Sequence, residues 1–125
     1  VTDTSWATQL LGADTLSASR AVLNSNFNAA RRLSVASIDN TDSPYTTSDI
    51  ADVVSVDASS GAVSVTLDSS VVGDVVHVTK RDASANAITV SATTGTINGA
   101  ASVSITTQYE TLTFCRIGAS AWAIL

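Results

Sequence analysis

The sequence predicts a mainly β protein: a small antiparallel β-sandwich or barrel-like domain preceded by a helical N-terminal arm. Three observations lead there. The 125 residues include 19 Ser and 17 Thr but a single Lys, and 10 of the 11 acidic residues are Asp. Charged residues that favour helix are scarce and Val and Thr are plentiful, a balance that suits strands and turns. Apolar and hydroxyl residues alternate with period two over several short runs. Turn-forming clusters separate those runs at roughly ten-residue intervals.

The elements follow in order. Trp6, Leu10 and Leu11 form a small apolar patch on a short helix begun by Thr4 or Ser5. Asp14 or Thr15 can cap a longer helix, because Leu16 to Leu33 carries no Gly or Pro. On it Leu16, Leu23, Phe27 and Ala30 make a narrow stripe, with Arg31 and Arg32 in the last turn, where cations suit the helix dipole. A stripe this thin leaves the helix in need of a partner. Residues 1–38 thus read as the arm. Residues 39–48, around Pro44, read as a linker. Strands are expected at about 50–57, 62–68, 74–80, 87–92, 102–107, 109–117 and 121–125, giving a β domain over 49–125. Val63, Val65 and Leu67 alternate with Ser64 and Thr66; Ile88 and Val90 with Thr89 and Ser91; Val103 and Ile105 with Ser104 and Thr106. One apolar and one hydroxyl face is the pattern of antiparallel strands covered on one side. Asn98-Gly99 reads as a tight hairpin turn.

Composition also excludes. One Cys makes no internal disulfide, and one His with one Cys builds no common zinc site. No apolar run of about 18 residues exists, so no membrane span is expected. No basic stretch followed by an apolar run opens the chain, so no signal peptide is expected. The net charge of −5 argues against nucleic acid as partner. The charge is uneven: residues 1–38 hold two acids and three Arg, whereas 39–125 hold nine acids and three bases.

The β domain has three large anchors, Tyr109, Phe114 and Trp122, in a core of Val, Ile, Leu and Ala. That is sparse for its length, and burial between subunits is the natural remedy. A three-fold assembly around a Val/Ile/Ala-rich axis is the expected form.

The segments Val56-Asp57-Ala58-Ser59-Ser60-Gly61-Ala62-Val63-Ser64-Val65-Thr66-Leu67 and Val76-His77-Val78-Thr79-Lys80-Arg81-Asp82-Ala83-Ser84-Ala85-Asn86-Ala87-Ile88-Thr89-Val90 carry a likeness to known proteins. So do Gly95-Thr96-Ile97-Asn98-Gly99-Ala100-Ala101-Ser102-Val103-Ser104-Ile105, then Tyr109 to Phe114, Gly118 and Trp122, and ahead of them Leu16 to Arg20 and Asn24 to Phe27. Together they resemble a β domain common in tailed-phage virion proteins, especially short-fibre, head-fibre and capsid-decoration chains. The resemblance implies a homotrimer on the outer surface of the capsid, whose N-terminal arm docks on the particle while the β domain projects. The chain has no room for the long shaft of a tail fibre, so a decoration (cement) or head-fibre subunit bound to the major capsid protein fits best. Asp68 stands where relatives commonly have Pro.

The expected docking residues are Trp6, Leu10, Leu11, Arg20, Leu23, Phe27, Arg31 and Arg32, because Trp and Arg anchor interfaces. The alternative reading is a tail-associated adaptor or receptor-binding module that recognises host surface glycan through loops 93–101 or 118–121. No enzyme, cofactor or metal is expected. A nucleophilic Cys115 has only His77 as a base, and an inert packed thiol is the simpler reading. His77 alternates with Val76 and Val78 and belongs to the hydroxyl face; a pH-sensing role is its other reading. Asp49 with Asp52, or Asp57 with Asp68, are the carboxylate pairs a glycosidase would need. The same carboxylates could hold Ca²⁺, but turn positions explain them without either chemistry. Lys80-Arg81 reads as a solvated basic step before a turn.

Overall fold

The computed structural model describes residues 16–30, 33–47 and 53–125. The chain divides into two compact units, Val1–Leu33 and Ser34–Leu125. In the first, helix α1 spans Leu16–Ala30. No Gly or Pro interrupts it, and Val22 and Leu23 are exposed on its surface. It stops short of Leu33, and no basic residue lies in its last turn.

Among the described residues the second unit holds ten strands: β1 Val35–Asp39, β2 Tyr45–Thr46, β3 Val53–Asp57, β4 Val63–Leu67, β5 Val75–Lys80, β6 Ile88–Ala92, β7 Thr96–Ile97, β8 Ser102–Ile105, β9 Thr111–Gly118 and β10 Ala121–Ile124. They form two sheets, ordered β1-β3-β5-β9-β10-β7 and β2-β4-β6-β8. From β1 to β6 the chain passes from one sheet to the other at each step. Each pass adds a strand parallel to the previous one in that sheet. Val35 stands beside Val53 and Val53 beside His77, so one coil takes 18 and then 24 residues (35 to 53, 53 to 77). The result is a solenoid-like stack of three coils. Strands β8 and β9 close it by pairing antiparallel with β6 and β5.

This corrects the antiparallel sandwich expected from the sequence. Period-two alternation states which face of a strand is buried; it is silent on the direction of the neighbouring strand. From β1 to β6 the segments between strands are corners, where an antiparallel meander would have hairpin tips. Ala58, which a β3–β4 hairpin would place near its tip, is fully buried at a corner. Residues 39–48 are likewise more than a linker. They hold the end of β1, a 3₁₀ turn at Asn40–Asp42 capped by Asp39, and β2. Their turn-rich composition reflects the first corner.

The core lies between the sheets. One sheet contributes Ile38, Val54, Val56, Val76, Val78, Phe114 and Trp122; the other contributes Val63, Val65, Leu67, Ile88, Val90 and Ile105. Fully burying one such aliphatic side chain contributes roughly 1.5–3 kcal/mol. Of the three anticipated aromatic anchors only Phe114 and Trp122 are inside. Tyr109 is 74% exposed, in a turn with φ +64°.

Candidate functional site

The expected docking residues are distributed unevenly. Arg20 and Leu23 lie on α1, both exposed. Phe27 lies on the same helix, its side chain outside the described ones. Trp6, Leu10, Leu11, Arg31 and Arg32 lie outside the described residues. What the helix presents is an apolar pair, Val22 and Leu23, with the Arg20 guanidinium one turn away.

In the β unit, polar chemistry gathers at the corners where the chain crosses between sheets. Asp39, Asp57 and Asp82 each accept a hydrogen bond from the amide two residues on, at Thr41, Ser59 and Ser84. These are Asx turns, which a short carboxylate supports and a longer side chain does not. The hydroxyl and amide of Thr41 hold the Asp39 carboxyl below its ordinary range, and those of Ser59 do the same for Asp57.

The third corner encloses Lys80. Its side chain is fully buried, correcting the solvated basic step; only Arg81 is exposed. Lys80 Nζ donates to Asp82 Oδ2 at 2.6 Å, to the Asp82 carbonyl at 3.0 Å and to the Ser84 carbonyl at 2.9 Å. Asp82 Oδ1 accepts from the Ala58 amide at 2.7 Å, and Asn86 Nδ2 donates to the Ala58 carbonyl at 2.8 Å. The knot therefore ties the third corner to the second. Burial pushes the Asp82 carboxyl upward, but Lys80, the Ser84 hydroxyl and the Ala58 and Ser84 amides outweigh it and hold the group well below its ordinary range. The sequence carried two signals for this corner. Lys80 shares its parity with the inward Val76 and Val78. The run Asp57-Ala58-Ser59, followed by Ala62-Val63, returns 25 residues later (57 to 82) as Asp82-Ala83-Ser84 with Ala87-Ile88.

The opposite corners are also pinned. Thr47, 2% exposed, accepts from the Asp68 amide at 3.0 Å, and its own amide donates to the Thr66 carbonyl. Nearby, Arg116 donates to the carbonyls of Ser69, Gly118 and Ala119, joining two loops. A cleft of about 20 Å³, little more than room for one water, opens here, lined by Leu67, Asp68, Ser69, Thr93, Thr94, Arg116 and Trp122. It is below the roughly 300–1,000 Å³ of ordinary small-molecule pockets. Gly95 lies against the Ser120 backbone and has φ +90°. The 93–101 and 118–121 loops thus meet, but around a clamp that uses its donors on the protein itself.

The other candidate chemistries do not converge. His77 Nδ1 pairs with Thr113 Oγ1 at 2.9 Å, while Cys115 Sγ donates to the Arg116 carbonyl at 3.8 Å. Asp57 and Asp68 stand at opposite ends of β4, separated by Val63–Leu67. Asp49 and Asp52 lie outside the described residues. Among the described residues no three His, Cys, Asp or Glu side chains come together as a metal site. Among them, too, no helix is long and apolar enough to cross a membrane. No protein-family model matches the chain, and no curated protein matches it.

Proposed function

We propose that this chain is a virion structural protein of a tailed phage: a capsid decoration or head-fibre subunit that trimerises and binds the major capsid shell through its N-terminal unit. The observation that carries the reading is the division of labour along the chain. A helix with exposed Val22 and Leu23 beside Arg20 precedes a separate, cross-tied β unit whose corner side chains bond within the unit itself. The sequence likeness to decoration and head-fibre chains supports the same reading. The mechanism is mass action: a chain that binds only the assembled shell stabilises that shell.

Co-sedimentation of the full chain with phage heads that lack it tests this. Leu23→Asp combined with Arg20→Glu is expected to weaken occupancy at least about tenfold, the equivalent of about 1.4 kcal/mol. The far-ultraviolet circular dichroism of the β unit is expected to stay the same. Wild-type occupancy by the double variant would count against the helix as anchor.

A further inference from the structure

Between β8 and β9 the chain turns at residues 107–110, closed by the Glu110 amide donating to the Thr107 carbonyl at 3.1 Å. The third residue of that turn is Tyr109, with φ +64°. A left-handed backbone at this place suits Gly or Asn and strains a bulky side chain. Burial recovers little of that cost, because Tyr109 is largely exposed. The turn is held by its backbone: the Tyr109 amide donates to the Lys80 carbonyl at 2.6 Å, and the Lys80 amide to the Glu110 carbonyl at 3.1 Å. A strained residue whose side chain the fold leaves in solvent points to function. Its neighbours are ordered by the register. Asp39 stands beside Asp57 on β1 and β3, both with the outward parity of Ser37 and Ser55. Val56 pairs with Lys80, and the Arg81 amide donates to the Val56 carbonyl, so Arg81 follows Asp57. Arg81 Nη1 reaches Ser55 Oγ at 3.5 Å, on that outward side. Gln108 Nε2 donates to the Arg81 carbonyl at 3.2 Å, which sets the turn against Arg81. Asp39, Asp57, Arg81 and Tyr109 therefore form one row, three strand spacings or about 14 Å long.

We propose that this row is a carbohydrate-binding shelf that takes an oligosaccharide, with Tyr109 under one ring and Arg81, Gln108 and the two carboxylates along its hydroxyls. A sugar ring has an apolar C–H face and a rim of hydroxyl groups. An exposed aromatic ring gives the first a flat apolar partner. Carboxylates accept from hydroxyls, while a guanidinium and a side-chain amide donate to their oxygens. A protein partner fits less well, because an aromatic anchor of a protein contact sits in a desolvated, well-packed centre, whereas here the ring ends a row of charged groups. Two carboxylates in the row and a net charge of −5 disfavour a phosphate backbone. The shelf lies at the opposite end of β9 from the 118–121 loop. It adds a ligand to the β unit and stands independently of the helix as anchor and of the trimer.

Binding of the full chain to an array of defined neutral and acidic oligosaccharides tests it, followed by calorimetric titration with the strongest binder. The wild type and Tyr109→Phe are expected to bind the same sugars. Tyr109→Gly and Arg81→Ala are each expected to weaken binding at least about tenfold. Tyr109→Gly is also expected to melt at or above the wild-type temperature, because Gly accepts the left-handed backbone without strain. A wild type that binds no sugar on the array would overturn the shelf, as would a Tyr109→Gly variant that binds as the wild type does. A Tyr109→Gly variant that melts well below the wild type would make the ring a structural element and overturn the argument from strain. Loss of phage-head occupancy by Tyr109→Gly, with no sugar bound by the wild type, would overturn the shelf in favour of a protein contact.

Discussion

At Lys80 a buried ammonium is matched by one carboxylate, two carbonyls and a serine hydroxyl. Such a pair adds little over an apolar replacement, but losing one member leaves the other charge stranded. Asp82→Ala is therefore expected to cost about 3–5 kcal/mol in urea denaturation. Acid reaches the same contact. A carboxyl whose folded pKa lies below its ordinary 3.8 stabilises the fold above that value. Stability should therefore be flat from neutrality down to about pH 4 and fall below it, and a decline already complete near pH 5 would contradict the arrangement. Two glycines separate conformation from space. A methyl group on Gly99 (φ +81°) meets nothing within 4 Å, whereas on Gly95 it would sit 1.8 Å from the Ser120 carbonyl oxygen. Gly99→Ala should cost about 1–2 kcal/mol, for the left-handed backbone alone. Gly95→Ala adds overpacking of about 1–3 kcal/mol to that. Thermal melts of the two variants rank them.

Among the elements, the parallel coils are the feature to test. Ser37 and Ser55 stand side by side on β1 and β3 with outward side chains. Neighbouring strands lie about 4.8 Å apart, within the Cα range a disulfide accepts. In a Cys115→Ser background, Ser37→Cys with Ser55→Cys should cross-link on mild oxidation, read as a mobility change on a non-reducing gel. A meander of β3–β4 hairpins gives no reason for that adjacency, and failure to cross-link would count against the solenoid. Much of this level was legible in the sequence. The strands from Val53 onward fall within a few residues of their period-two runs, and Asn98-Gly99 makes its turn with both φ angles positive, closed by the Ile97–Ala100 bridge. Three strands were not legible. β2 and β7 are two residues long, and β1 lies in a segment read as the end of the helical arm. Strand direction was lost for a different reason: it is set by the corners, whose Asx turns carry the chain to the opposite sheet. Lys80 is inward by parity though its charge argues for the surface, and Tyr109 is exposed though its size argues for the core.

At the scale of the whole molecule, the proposed capsid role draws on both parts of the chain. The helical unit offers Arg20, Val22 and Leu23 outward, while in the β unit the polar side chains at the corners bond within the unit itself. On the proposed reading the first is what binds the shell. The core that holds the β unit has only Phe114 and Trp122 as buried aromatics. Additional burial between copies is consistent with so lean an interior.

Imaging of phage particles whose copy of this chain carries a compact tag after Leu125 tests the capsid role most directly. The account predicts extra density repeated over the outer surface of the head. Extra density confined to the tail, or intact particles with none at all, would contradict it.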